Sequence, residues 1–204
     1  MITIIDLGLG NINSVSRALD YLGITNRISD NIHDVEHAEA LILPGVGNFS
    51  EASNRLCLTD MVTTIQHEVL NNKKPFLGIC LGMQLLAETG EESGVSQGLG
   101  LIKARACKLR SETKGYRLPH IGWNDVAGNN MNLFSNIEDR SCFYFAHSYE
   151  IILEDKDVEY AICNYGVDFV AVVKKNNIVG VQFHPEKSQK PGLQLLKNFI
   201  QGVF

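Results

Sequence analysis

Short apolar runs that end at glycine or proline and then lead into helix-like segments constrain the fold of this chain more than any other feature. Residues 2–6 are predicted to form a buried strand, and apolar residues at helical spacing follow it: Val15, Ala18, Leu19 and Leu22. The same order recurs over residues 40–70 and 75–88. Strands that alternate with helices pair in parallel, so the sequence predicts a three-layer α/β fold with a largely parallel central sheet flanked by helices.

Two boundaries within this region are predicted from local signals. The apolar run over residues 40–43 is expected to break at Pro44-Gly45-Val46-Gly47. The helix after the third strand is expected to run from Leu81 to Glu88.

Beyond Gly98 the pattern becomes strand-like, over residues 99–110, 142–152, 159–165 and 169–183. The sequence therefore predicts a β-rich C-terminal half, with a hairpin turn over residues 174–177, where asparagine tolerates positive φ. A last helix is expected from its apolar spacing: Leu193, Leu196, Ile200 and Val203. No repeat or linker interrupts the chain, and residues 1–204 are predicted to form one domain.

Composition excludes several classes of function. Hydrophobic residues make up 45% and charged residues 20% of the chain, and Lys+Arg 18 against Asp+Glu 23 leaves a net charge of −5. An acidic balance without a basic run predicts no nucleic-acid partner. No apolar stretch reaches the ~20 residues of a membrane span, so no membrane association is predicted. The five cysteines contain no Cys-x-x-Cys pair, which predicts a reducing cytoplasm, no metal site and no cofactor.

The strongest chemical signal is Gly78-Ile79-Cys80-Leu81-Gly82, which lies between an apolar strand and an amphipathic segment. This pattern is typical of a nucleophile elbow with cysteine in place of serine. Small flanking residues permit the sharp turn, and the following helix N-terminus favours a thiolate. The backbone amide of Leu81 is then available to a developing oxyanion.

A cysteine nucleophile needs a base and a group that orients the base. His184-Pro185-Glu186 follows an apolar strand, and extended residues at i and i+2 project to the same side. The Glu186 carboxylate can therefore accept a hydrogen bond from one imidazole nitrogen of His184 while the other nitrogen faces Cys80.

Other candidates carry weaker signals. The glycine-rich residues 8–13 lack the third glycine of a dinucleotide fingerprint and are interpreted as a tight loop. Three histidines have no metal-ligand spacing and are interpreted as surface residues: His33, His37 and His67. His120 and His147 lie in aromatic surroundings, where core packing and a functional role are equally supported.

The elbow extended to Gln84, together with the distant His-Pro-Glu segment, resembles the signature of class I (triad-type) glutamine amidotransferases. Within that class, residues 44–47, 119–123, 147–149 and 182–188 resemble the glutaminase subunits of imidazole glycerol phosphate synthases. The resemblance covers nearly the whole chain. It implies hydrolysis of L-glutamine to glutamate and ammonia through a thioester on Cys80, with His184 as base and acid and Glu186 as its orienting group.

The resemblance also implies the remaining site residues and a partner. The oxyanion would be held by the backbone amides of Leu81 and Val46. Glutamine would be bound by four residues: Gln84, Gly47, Ser148 and Tyr149. Ammonia would pass to a (β/α)₈-barrel synthase subunit in a heterodimer of L-histidine biosynthesis. Its interface would lie near Asn11, His120, Trp123 and Lys187.

Three alternative functions stay open on sequence alone. A paralogous glutaminase could feed a synthase-like enzyme of surface-sugar amidination with the same catalytic residues. A stand-alone cysteine hydrolase is disfavoured, because Gln84 and residues 119–123 have no role in it. A non-catalytic binding module would be expected to lack Cys80, His184 or Glu186, and all three are present.

Overall fold

A seven-stranded sheet lies at the centre of the computed structural model, which describes residues 1–10, 12–127, 131–154 and 156–202, with the backbone alone for residues 112 and 113. The strands are β1 Ile2–Ile5, β2 Asn26–Ser29, β3 Ala40–Gly45, β4 Phe76–Cys80, β5 Thr89–Gly90, β6 Ser96–Gln97, β7 Ala104–Lys108, β8 His120–Asp125, β9 Cys142–His147, β10 Tyr149–Leu153, β11 Glu159–Asn164, β12 Asp168–Lys175 and β13 Ile178–Val181.

The helices are α1 Ile12–Tyr21, α2 Ile32–Glu36, α3 Phe49–Cys57, α4 Met61–Gln66, α5 Leu81–Gln84 and α6 Gln189–Ile200. A π-helical turn over His67–Asn71 continues α4, and 3₁₀ turns lie at Arg110–Lys114, Asn132–Phe134 and Pro185–Lys187. None of the helices in these described ranges is long and apolar enough to cross a membrane.

The central sheet has the strand order β11-β12-β13-β4-β3-β1-β2. Its five strands from β2 to β13 are mutually parallel, and β12 and β11 add antiparallel pairs at one edge. The prediction of a largely parallel sheet is therefore confirmed. The β-rich C-terminal half supplies these edge strands, much of a second sheet (β10-β7-β5-β6) and the two-stranded ribbon β8-β9.

Two apolar layers cover the faces of the central sheet, as the predicted three-layer arrangement requires. On one face, Ile4 and Ile42 pack with residues of α1 and α6, such as Leu19 and Phe199. On the other face, side chains of β3 and β4 pack with α3, α4 and the second sheet. Burial of both faces explains why these strands are continuous apolar runs without alternation.

Two predicted boundaries differ from the structure. β3 continues through Pro44 to Gly45, because β1 pairs with β3 only as far as Ile42 and the strand has a neighbour on one side at Pro44. The helix expected over residues 81–88 is the single turn α5. Backbone amides of residues 98–102 donate to the carbonyls of residues 85–88, which end the helix.

The predicted hairpin and last helix are both present. β12 and β13 meet in a two-residue turn with Asn176 at a φ of 53°, the left-handed conformation for which asparagine was expected. α6 buries Leu196 as predicted, with Leu195 and Phe199 beside it. Val203 lies outside the described residues.

Candidate active site

Cys80 lies at a sharp turn between the end of β4 and the start of α5. Its φ of 55° and ψ of −108° are unusual for a residue with a side chain, and backbone strain of this kind clusters at functional sites. A Cβ atom on Gly78 would lie 2.5 Å from the carbonyl oxygen of Gly82. Gly78 is therefore required for the close approach of the turn to its own strand.

His184 reaches the same edge of the sheet from the neighbouring strand. β13 runs parallel to β4, and Val181 pairs with Ile79, so the chain leaves both strands side by side. The backbone amide of His184 donates to the Tyr144 carbonyl at 2.8 Å, which holds the segment after β13 in place. The nucleophile and the candidate base are thus positioned by the register of two strands.

Glu186 follows in the 3₁₀ turn Pro185–Lys187, and its Oε1 lies 2.9 Å from Nδ1 of His184. Both side chains are only 4% exposed. Burial alone would lower the pKa of His184, but the Cys80 thiol and the Glu186 carboxylate outweigh it and raise that pKa to about 10. The geometry therefore favours an imidazolium stabilised on both sides.

The second ring nitrogen of His184, Nε2, is buried and has no hydrogen bond of standard geometry within the described residues. The sulfur of Cys80 instead lies 3.8 Å from the Ala146 carbonyl and 3.7 Å from Nε2 of Gln182. Catalytic hydrogen bonds are often loose without substrate and tighten when it binds. Since Nδ1 is occupied by Glu186, Nε2 is the nitrogen available to the thiol.

A cavity of about 170 Å³ opens at Cys80. It brings together five residues that the sequence predicted as backbone donors or substrate ligands: Gly47, Leu81, Gln84, Ser148 and Tyr149. The other lining residues are Glu92, Pro119, Ala146 and His147. The volume suits a small polar molecule of amino-acid size.

Glu92 was missed by sequence reasoning. It lies in the turn between β5 and β6, and its Oε2 accepts the backbone N–H of Phe49 at 2.8 Å at the start of α3. A carboxylate at a helix N-terminus is electrostatically favourable, which holds this loop residue against the cavity. No local pattern distinguishes Glu92 from the adjacent Glu91, so the sequence carried no signal for it.

Gln84 is 4% exposed, and the nitrogen of its side-chain amide is hydrogen-bonded within the protein. Its Nε2 donates to the Tyr149 carbonyl at 3.0 Å and to Oε1 of Gln182 at 3.2 Å. Gln182 in turn donates to the sulfur of Cys80 at 3.7 Å. Gln84 and Gln182 therefore connect the nucleophile to the strand that lines the cavity, and only Oε1 of Gln84 is left for a ligand.

His120 and His147 form a buried pair behind the cavity. Nδ1 of His147 lies 2.8 Å from the Tyr149 carbonyl, and Nδ1 of His120 lies 3.1 Å from Nε2 of His147. Burial lowers the pKa of His120 to about 4 and that of His147 to about 3, so both rings are neutral at neutral pH. Because the Tyr149 carbonyl can only accept, both Nδ1 atoms carry the proton.

His120 lies inside the protein, whereas the prediction placed it at a partner interface. It is 1% exposed and stacks between Phe145 and Tyr165, at centroid distances of 4.8 and 4.0 Å.

The described residues contain no group of three or more histidine, cysteine, aspartate or glutamate side chains that could hold a metal ion.

Trp123 and Lys187, which were also predicted at the partner interface, both lie against the ring of Tyr144. Trp123 is 48% exposed and meets the Tyr144 ring at 6.0 Å, and Nζ of Lys187 lies 5.5 Å above the same ring. We call Trp123, Tyr144 and Lys187 the aromatic patch. Asn11 lies outside the described residues.

Val46 is 38% exposed and does not line the cavity at Cys80. It lines a smaller adjoining cavity of about 70 Å³, together with Pro44, His184, Glu186 and Lys187. Val46 therefore lies beside the His184–Glu186 pair, while the next residue, Gly47, lines the cavity at Cys80.

A cysteine at a strand–helix elbow, with a buried His–Glu pair just after the adjacent parallel strand, defines a triad-type amidase site. Residues 3–203 match the family model for class-I glutamine amidotransferases, and the chain belongs to that family. Within the family, it is a member of the group of imidazole glycerol phosphate synthase subunits called HisH. It is 44% identical to HisH 1 of Campylobacter jejuni strain RM1221 over 98% of this chain and 100% of that protein.

Two further relatives extend the same result. HisH of Bacillus subtilis strain 168 is 42% identical over 98% of this chain and 96% of its own length, and HisH of Pyrococcus furiosus is 44% identical over 97% of both. Among solved structures, a glutamine amidotransferase superposes with a TM-score of 0.79 at 18% identity, over 98% of this chain and 97% of its own. PurLQS from Thermotoga maritima has a TM-score of 0.74 at 17% identity, over 100% and 98%. These two likenesses concern the fold.

Proposed function

We propose that this chain hydrolyses L-glutamine to glutamate and ammonia, that residues 1–204 act as one glutaminase domain, and that the ammonia is used by a synthase partner in L-histidine biosynthesis. The observation that carries the proposal is the arrangement at one sheet edge: Cys80 at the strained elbow, the buried His184–Glu186 pair beside it, and a small polar cavity at the sulfur. The names of the HisH relatives favour the histidine pathway over surface-sugar amidination.

Cys80 acts as the nucleophile in this mechanism. The Cys80 thiol transfers its proton to His184 before attack, and the raised pKa of His184 favours the imidazolium that results. The sulfur attacks the side-chain carbonyl carbon of glutamine, and His184 gives its proton to the leaving nitrogen, which departs as ammonia. The thioester on Cys80 is then hydrolysed by water, with His184 now accepting the proton. Glu186 keeps the imidazole in the tautomer that presents Nε2 to the sulfur.

Backbone amides stabilise the oxyanion formed in both steps. The Leu81 amide lies at the start of α5, one residue after Cys80, where the first amides of a helix have no acceptor within the helix. Val46 is proposed as the second donor. It lies between Gly45 and Gly47, and Gly47 has a φ of 118° with no atom close to its open side, so the peptide planes of this segment can reorient.

The cavity walls supply groups for both ends of glutamine. Glu92 is the only acidic side chain among the described lining residues, and we assign it to the α-ammonium group. Gln84, through its free Oε1, and the Gly47, Ser148 and Tyr149 segments hold the remaining polar groups of the substrate. A site that pairs each polar group of its substrate strongly rejects analogues that lack one.

The partner is proposed to be the second subunit of imidazole glycerol phosphate synthase, a (β/α)₈ barrel, in a cytoplasmic heterodimer. The aromatic patch supports a docking surface near the triad, because Trp123 is exposed while Lys187 directly follows Glu186. Aromatic residues such as tryptophan and tyrosine are enriched at protein interfaces. Asn11 stays a candidate for the same interface.

Co-expression with the synthase subunit encoded by the same genome tests this function. We expect a stable complex that forms imidazole glycerol phosphate with glutamine as nitrogen donor, whereas the synthase subunit alone requires an ammonium salt. Trp123→Ala and Lys187→Glu should each weaken the complex, and the Lys187→Glu effect should depend on salt. Tyr21→Ala is the matched control, since Tyr21 is 79% exposed but lies at the far end of α1. A complex that uses ammonium but never glutamine would contradict the proposal.

A further inference from the structure

A second cavity, of about 460 Å³, lies away from Cys80 between β10 and the edge strands β11 and β12. It shares no lining residue with the cavity at the nucleophile. Most of its wall is apolar: Ile152, Leu153, Val158, Ile162, Phe169 and Val170. Its size and lining fall within the range of sites that bind small organic molecules, in which an apolar wall is combined with a few placed polar groups.

Three charged residues line this cavity, and of these Glu150 is buried whereas Lys156 and Asp168 are exposed. Glu150 is 7% exposed, and within the described residues its carboxyl group makes no hydrogen bond or ion pair. Burial raises its pKa to about 7, against the opposing effect of the Arg110 and Arg105 charges. Arg105 is itself paired with Glu91 at 3.0 Å. Its oxygen atoms are not among the fully buried side-chain atoms of the described residues that lack a partner, so the carboxyl group of Glu150 faces the open space of the cavity.

We propose that this cavity is a binding site for a small molecule with an apolar body and a terminal ammonium or amidinium group, with Glu150 as its charged anchor. The apolar wall takes the body of the ligand, and its cationic group pairs with the Glu150 carboxylate. A buried carboxylate recovers its desolvation cost only through a close charged or hydrogen-bonding partner. The inference depends on the cavity alone and stands apart from the glutaminase proposal.

The site is one residue from the substrate cavity along the chain. Tyr149 and Glu150 are neighbours on β10, and the Tyr149 carbonyl accepts hydrogen bonds from Gln84 and His147. A ligand held by Glu150 therefore lies behind the strand that forms the wall of the candidate active site.

Titration with benzylamine, followed by ligand-observed NMR, tests the proposal. Benzyl alcohol and phenylacetate are the matched neutral and anionic probes. We expect benzylamine to bind the intact chain at pH 8 at least tenfold more tightly than either probe. Glu150→Gln should weaken benzylamine binding at least tenfold, whereas Glu154→Gln should leave it unchanged, since it removes the same charge from an exposed position just beyond β10.

Ile162→Trp gives a second, independent variant, because Ile162 is 38% exposed in the wall of the cavity and a larger side chain there fills the space without altering the carboxyl group. It should abolish benzylamine binding. Equal binding of benzylamine and benzyl alcohol to the intact chain would overturn the proposal. So would full retention of benzylamine binding by either Ile162→Trp or a folded Glu150→Gln variant.

Discussion

A Cβ atom on Gly82 would lie 1.8 Å from the carbonyl oxygen of Leu43. Gly82 is the second residue of α5 and Leu43 lies in β3, so the turn after Cys80 is packed directly against the backbone of the neighbouring strand. Backbone atoms cannot rotate away as a side chain can. The position of the nucleophile is therefore set by a contact that only glycine permits.

Gly82→Ala is expected to lower the free energy of unfolding by about 3 kcal/mol, because either β3 or the elbow must shift to admit the methyl group. Denaturant unfolding followed by circular dichroism measures the change. Gly45→Ala is the control, since its Cβ would meet only side-chain atoms of Leu81 at 3.2 to 3.4 Å, and its cost should stay below about 1 kcal/mol. Equal stability of the two variants would show that the contact is not restrictive.

Cys80→Ala is expected to reduce glutamine hydrolysis by on the order of 10⁴-fold or more without loss of the fold, because the covalent intermediate cannot form. A glutamine analogue with an electrophile at the side-chain carbonyl should label Cys80 alone, as mass spectrometry of the digested protein can show. Cys163→Ala is the control. Burial raises the pKa of Cys163 to about 12, so its thiol is unreactive and its loss should leave hydrolysis intact. Near-normal turnover by Cys80→Ala would rule out the thioester mechanism.

Glu186→Gln is expected to cost roughly tenfold to a hundredfold less in kcat than His184→Ala, since Glu186 orients and stabilises the imidazolium without exchanging protons with substrate. Steady-state glutaminase assays on the complex provide the comparison. Equal losses in the two variants would assign Glu186 a direct chemical step.

The pH dependence of stability gives a separate prediction for the same pair. The folded-state pKa of His184 is about 10, above its ordinary value of 6.5, so the stabilisation is fully present below pH 6.5 and is lost as the pH rises through 10. Glu186→Gln removes one of the two groups that raise this pKa. The difference in unfolding free energy between wild type and Glu186→Gln should therefore be largest near pH 6 and shrink toward pH 10. A difference that is constant over this range would contradict the coupling.

Val46→Pro is expected to lower partner-activated glutaminase turnover toward the basal rate, because proline has no amide hydrogen to offer the oxyanion. One oxyanion donor is worth roughly 10²- to 10³-fold in turnover, which sets the size of the loss. Val46→Ala keeps the amide and should retain activation. The hypothesis is excluded if the free chain is as active as the complex, or if Val46→Pro is activated normally.

The sequence predicted those parts of the site that depend on neighbouring residues in the chain. The elbow around Cys80 and the His184–Glu186 spacing follow from local geometry, and the parallel sheet follows from alternating strands and helices. The register of β4 with β13 then brings the two segments together.

The residues that escaped prediction reach the site through long-range packing. Glu92 is held by the start of α3, and Gln182 by contacts with Gln84 and Cys80. The length of α5 also depends on a distant segment, since residues 98–102 take up the carbonyls that would have continued it. Propensity carries no information about such partners.

The pairing of β13 with β4 has a consequence for the order of events during synthesis. Gln182, two residues before His184, contacts Cys80 across 102 positions of sequence. Cys80 therefore leaves the ribosome long before His184. During that interval the elbow lacks both its general base and β13, one of the two strands beside β4. Newly made chains cannot hydrolyse cellular glutamine until β13 has paired with β4.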